Sequence, residues 1–252
     1  MTEDVIQSAK NPRIKQWKAL HSAKGRREAG LFLAEGPHLV EEALASRWPI
    51  ETLLLAEGSS PPPVVGRIES VWLSEPAMRA VSETEAPQGM AAVCRLPESG
   101  ASLPAGERFL LLDAVQDPGN VGTLIRVADA MGLDGVILGP GSADPFSGKV
   151  LRSAQGSVFH LPVRRGESLE EALREMKARG LPVLAADMMG TPIREFRGGA
   201  SFALVMGNEG AGLSEQALAF ADHRVSIPMR GRAESLNVGV AAGICLYELL
   251  RG

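Results

Sequence analysis

The 252-residue chain is poor in cysteine, in long apolar runs and in repeated pattern, and each lack excludes something. Its two cysteines, Cys94 and Cys245, are far apart with no Cys-x-x-Cys spacing, which speaks against a disulfide scaffold or a cysteine zinc site and for free thiols in a reducing compartment. No charge-free apolar stretch reaches the roughly 18–20 residues of a membrane span. The opening MTEDVIQSAK has no apolar core of the secretory kind, so a cytoplasmic, membrane-free protein is expected. Proline and glycine are plentiful (17 and 28) but not periodic, which removes collagen. What is present is ordinary globular composition, 45% hydrophobic and 22% charged, in a chain long enough for one large domain or two small ones.

The net charge of −4 taken alone argues against a nucleic-acid partner, but its distribution matters more than its total. Lys10, Arg13, Lys15, Lys18, Lys24, Arg26 and Arg27 fall in one stretch without an acid. The following stretch, 28–58, holds six glutamates and one arginine. The cluster reads either as a solvated helix face or as a patch that tracks phosphates.

Residues 1–97 read as a small α/β unit. NPRIKQWKALHS has helical spacing, PHLVEEALAS opens on a proline suited to a first helical turn, and LFLAEG, ETLLLAEG, VWLS and GMAAVCRL read as short strands. PESGASLPAGE has no apolar period and marks a linker at 98–106. From 107 to 252 strands and helices alternate. FLLLDAV, GVILGP, LPVRR, LPVLAAD, SFALVMG and HRVSIP are strand-like. VGTLIRVADAMG, GKVLRSAQGSVF (ending near Gly156), SLEEALREMKARG, SEQALAFAD and LNVGVAAGICLYELLR are helix-like. Such alternation predicts a mostly parallel sheet with helices on both faces, and a site beyond the carboxyl ends of its strands.

Three loops there carry polar residues among glycines and prolines. In DAVQDPGNVGTLIRVADAMG, Asn120 is expected to cap a helix, and Arg126 to lie two turns along it. In LVMGNEGAGLS, glycines bare the backbone around Glu209; a lone Gly-x-x-Gly-x-Gly is not diagnostic and is not the dinucleotide fingerprint. In SIPMRGRAESLNVGVAAG, Ser235 is expected to cap the terminal helix, with Asn237 just inside it. Leu236, Val240, Ile244 and Tyr247 mark one face of that helix while the others stay apolar, so it should be buried in a core or against a partner.

Together, DPGNVGTLIRVADAMG, LVMGNEGAGLS and IPMRGRAESLNVGVAAGICLYEL resemble the three motifs of the SpoU-type (TrmH-like) RNA ribose 2′-O-methyltransferases of the SPOUT superfamily. NPRIK…FLAEGPHLVEEAL and APQGMAAV are similar to the RNA-binding domain that precedes the catalytic one in many members, a small α/β unit of ribosomal-protein type. The resemblance implies a catalytic domain at 107–252 with a deep C-terminal trefoil knot. It implies S-adenosylmethionine as methyl donor, no metal, a homodimer, and an RNA substrate, ribosomal rather than transfer RNA. Carried over residue by residue, it places the catalytic set on Asn120, Arg126, Glu209, Ser235 and Asn237. It places cofactor contacts on main chain at Met206, Gly207, Ile227, Met229 and Leu236, and RNA contacts on the basic cluster. One position departs from the motif: Gly239 stands where serine is frequent, a change expected to affect helix packing rather than chemistry. The alternatives are a transfer-RNA methyltransferase, a catalytically silent RNA-binding or ribosome-assembly protein of the same fold, and a nucleotide-dependent oxidoreductase, which the non-Rossmann glycine spacing disfavours.

Overall fold

The computed structural model describes residues 5–63, 68–98, 105–165, 168–196 and 201–251. Most of the expected linker at 98–106 lies outside the described residues. In chain order the elements begin with α1 (Pro12–Ala19), α2 (Ala23–Ala29), β1 (Leu31–Glu35), α3 (Pro37–Ala45), β2 (Ile50–Ala56), β3 (Glu69–Leu73), α4 (Glu75–Val81) and β4 (Met90–Arg95). There follow β5 (Arg108–Leu112), α5 (Pro118–Ala130), β6 (Gly135–Leu138), α6 (Gly148–Ala154), β7 (Val163–Arg165) and α7 (Leu169–Ala178). The last are β8 (Val183–Pro192), β9 (Phe202–Met206), α8 (Glu215–Phe220), β10 (His223–Ser226) and α9 (Val238–Leu250).

Contacts divide the chain into two compact units, Met1–Glu98 with Phe146–Phe159, and Ser99–Pro145 with His160–Gly252. The boundary read from the sequence is a single cut, whereas Phe146–Phe159 packs with the first unit. The reason is aromatic: the Phe146 and Phe159 rings lie 4.9 and 6.3 Å from Phe32, and Phe159 meets Trp48 edge-on at 5.3 Å.

The first unit is a four-stranded sheet in the order β1-β4-β2-β3, antiparallel except for β2 with β3. Ile14, Trp17 and Leu20 pack with Ala77, Met78 and Val81 of α4 over Leu33, Leu54 and Val93. Asn11 caps α1 by accepting from the Arg13 amide at 2.9 Å, with Pro12 fixing the first turn. The helix read in GKVLRSAQGSVF ends beside Gly156, as expected. Gln155 takes a left-handed conformation (φ 51°) that ends α6, and a 3-10 turn follows at Ser157–Phe159.

The second unit is a six-stranded, wholly parallel sheet in the order β10-β8-β9-β5-β6-β7. Phe109 to Leu112 of β5 are all fully buried, as a central strand covered on both faces requires. Phe109, Leu111, Ile137 and Val205 face Leu173, Met176 and Ala217 of α7 and α8. The alternate residues Leu110, Leu112 and Leu204 turn to the other face, on which α5 packs against β6 and α9. Truncating Phe109 to alanine would cost about 3–5 kcal/mol.

Candidate functional site

The three loops leave the carboxyl ends of β5, β9 and β10. The first turns sharply at Ala114, a non-glycine residue at φ 54°. Such a turn is unfavourable for an alanine and has to be held. Asn208, in the second loop, holds it: its Nδ2 donates to the Ala114 carbonyl at 2.8 Å, while its Oδ1 accepts from the Gly210 and Ala211 amides at 2.9 Å each. Asp113, buried at the end of β5, accepts from the Ser214 amide at 2.6 Å and ties the far side of the same loop. Neither residue was singled out from the sequence. The available signal was an aspartate directly ending the apolar run FLLL, and an asparagine beside the motif glutamate.

Asp117, not Asn120, caps α5, accepting from the Asn120 amide at 2.9 Å. Asn120 is displaced into the first turn, and its side chain is thereby freed for other work. The Glu209 carboxylate accepts from Asn120 Nδ2 at 2.9 Å and from the Gln116 and Asp117 amides at 3.3 Å. Asn120 Oδ1 in turn accepts from Asn237 Nδ2 at 2.8 Å. Asn237, not Ser235, caps α9, its Oδ1 accepting from the Gly239 and Val240 amides at 2.9 and 3.3 Å. An asparagine that reads as a poor interior residue is therefore a good N-cap one position earlier.

These bonds form one polar relay, from carboxylate to amide to amide to helix start, through all three loops. The relay explains the state of Glu209. Burial alone would raise its carboxyl. The hydrogen bonds from Asn120, from its own backbone and from Gln116 and Asp117 outweigh burial and hold it below the ordinary 4.5.

Arg126 and Ser235 stand apart. Both are exposed and, among the described residues, have no hydrogen-bond or ion-pair partner. Of the residues assigned to cofactor main chain, Met206 is buried and its carbonyl accepts from the Asp113 amide at 2.8 Å. At Gly207 the missing side chain serves the loop itself: a Cβ there would lie 2.5 Å from the Gly212 backbone, so the glycine permits the chain to fold back on itself. Ile227 is half-buried. Met229 and Leu236 expose 39% and 36% of their surface, large apolar side chains left open on the third loop. Open apolar side chains and glycine-bared main chain are the kinds of group that an adenosyl moiety needs around it.

In the first unit, Lys10, Lys15, Lys18, Lys24 and Arg27 are exposed. Arg13 pairs with Glu69 at 2.8 Å and stacks over Trp17 at 5.0 Å. Arg26 is a correction to the expected RNA-contacting set. It is 3% exposed and its Nη1 donates to the Leu20 and His21 carbonyls at 2.8 and 2.9 Å, so it ends α1 rather than facing a ligand. Both cysteines are buried and free, and burial pushes the Cys245 thiol up to about 12. Among the described residues no helix is long and apolar enough to cross a membrane.

Comparison with known proteins places both units. Residues 107–247 match the SpoU rRNA Methylase family, and residues 11–92 match the MRM3-like substrate binding domain. The 23S rRNA (guanosine(2553)-2′-O)-methyltransferase RlmP of Bacillus subtilis is 49% identical over 97% of this chain and 98% of its own. The SpoU methyltransferase AviRb of Streptomyces viridochromogenes, solved in complex with AdoMet, superposes with a TM-score of 0.89 at 33% identity, covering 96% of this chain and 98% of its own. An AdoMet-bound rRNA methyltransferase of Sinorhizobium meliloti gives 0.87 at 34% identity, over 98% and 97%. With both the motif-bearing unit and the unit before it matched, the chain belongs to the SpoU rRNA methylase family.

Proposed function

We propose that the protein transfers a methyl group from S-adenosylmethionine to a ribose 2′-hydroxyl of ribosomal RNA in the cytoplasm, acting as a homodimer. The observation that carries this reading is the relay Glu209–Asn120–Asn237, which gathers the three family motifs and leaves Arg126, six residues along α5, without a partner among the described residues. Relatives named for 23S rRNA, at 49% and 34% identity over nearly the whole chain, favour ribosomal over transfer RNA.

When bound, S-adenosylmethionine supplies a methyl group already activated on a sulfonium, so the protein's tasks are placement and charge. Main chain at Met206, Gly207 and Ile227 would hold it, with Met229 and Leu236 covering its apolar faces. Orientation of the ribose hydroxyl can contribute up to about 7–11 kcal/mol. As the O–CH3 bond forms and the C–S bond breaks, the hydroxyl proton must leave. Arg126 does not take it, because a guanidinium stays charged. Its fork instead grips an RNA phosphate and stabilises the developing negative oxygen, and the proton passes to a phosphate oxygen or water. Asn120, Glu209 and Asn237 act through the relay as positioning residues, and Ser235 orders the third loop around the substrate. The exposed row Val240, Ile244 and Tyr247 on α9 suits a second copy of the chain. The deep trefoil knot belongs to this reading through family resemblance.

The test is a map of 2′-O-methyl sites in total RNA from cells with and without the gene, joined to tritium transfer by the purified protein. One ribosomal nucleotide should lose its methyl group in the deletion and regain it in vitro. Identical maps together with no transfer would overturn the reading.

A further inference from the structure

The first unit holds a cavity of about 320 Å³ in which the reaction proposed above has no part, and its size lies at the low end of small-molecule sites. It is framed by Gly36 and His38 where β1 passes into α3, by Thr84 and Gln88 in the turn after α4, and by Arg152 and Gln155 of α6 and its end.

The walls are built rather than incidental. The Glu35 carboxylate accepts from the hydroxyls of Ser82 and Thr84 and from the Glu83 amide at 3.0 Å, which fixes the turn after α4 against the end of β1. With those donors engaged, Glu35 is no bare anion at the cavity. Arg152 is compensated by Glu83 at 3.4 Å. Gly36 sits at φ 104°, where L side chains rarely fit, and a Cβ there would stand 3.0 Å from Gln88 Oε1. The glycine therefore lets the Gln88 amide reach over the opening.

The remaining groups are planar and hydrogen-bonding. Among the described residues the Gln88 amide has no hydrogen-bond partner. Gln155 donates through Nε2 to the Arg152 carbonyl at 2.6 Å, so its own Oε1 is left to accept. The His38 ring is held at Nε2 by the Gln155 carbonyl at 3.2 Å, and its Nδ1 faces the Glu42 carboxylate at 3.8 Å, so the ring offers its face rather than its edge. Amide donors and acceptors around an imidazole, with a paired arginine and a satisfied carboxylate, suit a flat uncharged ligand with mixed hydrogen-bonding edges better than a free phosphate or a cation. RNA presents such a ligand whenever a base leaves its stack, and single-stranded RNA is read by hydrogen bonds to base edges and by stacking on aromatic and histidine rings. The basic helices adjoin this wall. His21, in the turn between α1 and α2, meets the Val81 carbonyl at 2.7 Å, one residue before Ser82.

We propose that the cavity receives one unstacked nucleobase of the RNA substrate, distinct from the nucleotide that is methylated, while the exposed lysines of α1 and α2 track the adjoining phosphates. The proposal rests on the RNA reading above and assigns the first unit a base-specific contact in addition to a charged surface.

The experiment uses the full chain with total ribosomal RNA as probe. Ultraviolet cross-linking and peptide mass spectrometry should place a cross-linked nucleotide on the peptide carrying His38 or on that carrying Thr84 to Gln88. Gln88→Leu, which removes the amide, and Ala86→Trp, which fills the cavity from an exposed turn position, should each raise the RNA concentration for half-maximal methylation about tenfold, equivalent to roughly 1.4 kcal/mol. Affinity for S-adenosylhomocysteine should match the parent. If Ala86→Trp fails to fold, Gln88→Leu decides alone. Parental RNA dependence in the folded variants, or cross-links confined to α1 and α2, overturns the cavity proposal while the methyltransferase reading stands. A parent protein that neither cross-links to RNA nor methylates it overturns both.

Discussion

Asn120 and Arg126 lie on one helix, six residues apart, and have opposite surroundings. Asn120 uses both ends of its amide, donating to Glu209 and accepting from Asn237. Arg126 has no partner among the described residues. A side chain locked between two loops sets geometry, whereas an exposed, unpaired cation on the same helix is available to a substrate. The sharpest way to break the comparison is Arg126→Lys, which keeps the charge and loses the planar fork. Single-turnover methylation at saturating RNA and cofactor should fall about 10²–10³-fold, the cost of removing one preorganised charge-stabilising donor. Melting temperature should be unchanged, since nothing in the fold leans on this residue. A rate equal to wild type would return Arg126 to the solvated surface.

The relay should respond differently, in stability as well as in rate. Glu209→Gln can still accept from Asn120 and Asp117 through one oxygen, but it then turns an NH2 group toward the Gln116 amide, donor against donor. Loops displaced by about 1 Å can cost up to 10²-fold, so a loss of about tenfold or somewhat more is expected, with a lowered melting temperature. The pH dependence carries a sign. The Glu209 carboxyl is depressed in the folded protein, so its stabilisation is complete above the ordinary value of 4.5 and is lost as pH falls through the folded value. The melting-temperature gap between parent and Glu209→Gln should be full at neutral pH and close under acid. A gap independent of pH would mean that the relay does not depend on the ionised carboxylate.

A gentler contrast lies in the basic cluster. Lys15, Lys18, Lys24 and Arg27 are exposed, while Arg26 is buried in the same short stretch. Neutralising the first four to glutamine should reduce the salt dependence of RNA binding by about 0.7–0.9 in log–log slope for each phosphate the protein no longer neutralises. S-adenosylhomocysteine affinity should be unaffected. Arg26→Gln should leave the slope alone and lower stability instead, because two carbonyls at the end of α1 lose a charged donor. An unaltered slope in the fourfold variant would remove the cluster from the RNA path.

The sequence carried the alternation that makes the parallel sheet, and the three loops, because apolar runs and turn residues are local signals. It did not carry the caps. Asp117, Asn120, Ser235 and Asn237 are all competent N-caps by type, and which one caps depends on bonds reaching up to 117 residues along the chain. The glycines of the second loop look like ligand-binding residues in sequence, yet Gly207 is needed because Gly212 folds back on it. Phe146–Phe159 was hidden for the same reason: its period is helical whichever unit it joins, and only the rings of Phe32 and Trp48 decide the matter. The exposed row on α9 shows what hydropathy leaves out, since Val238, Ala242, Cys245 and Leu246 are buried while the equally apolar Val240 and Ile244 are not.

The smallest expected effect concerns Gly239, where the family resemblance leads one to expect serine. A Cβ there would lie 2.7 Å from Thr123 Cγ2 and 3.2 Å from Asn237 Oδ1, so α5 and α9 touch at this point with no room for a side chain. Thr123 cannot simply rotate away, because its hydroxyl donates to the Gly119 carbonyl at 2.9 Å. Gly239→Ser should therefore cost about 1–3 kcal/mol as overpacking, and should disturb Asn237 and with it the relay. Thr123→Ser deletes the offending methyl and keeps the hydroxyl bond. Denaturant melts of both single variants and the double should show that Thr123→Ser recovers most of the loss, with a coupling of about 0.5–3 kcal/mol. Additive single effects would mean that α9 finds slack elsewhere. A serine at this position would then be compatible with this α5 as it stands, and the close approach would be incidental to the placement of Asn237.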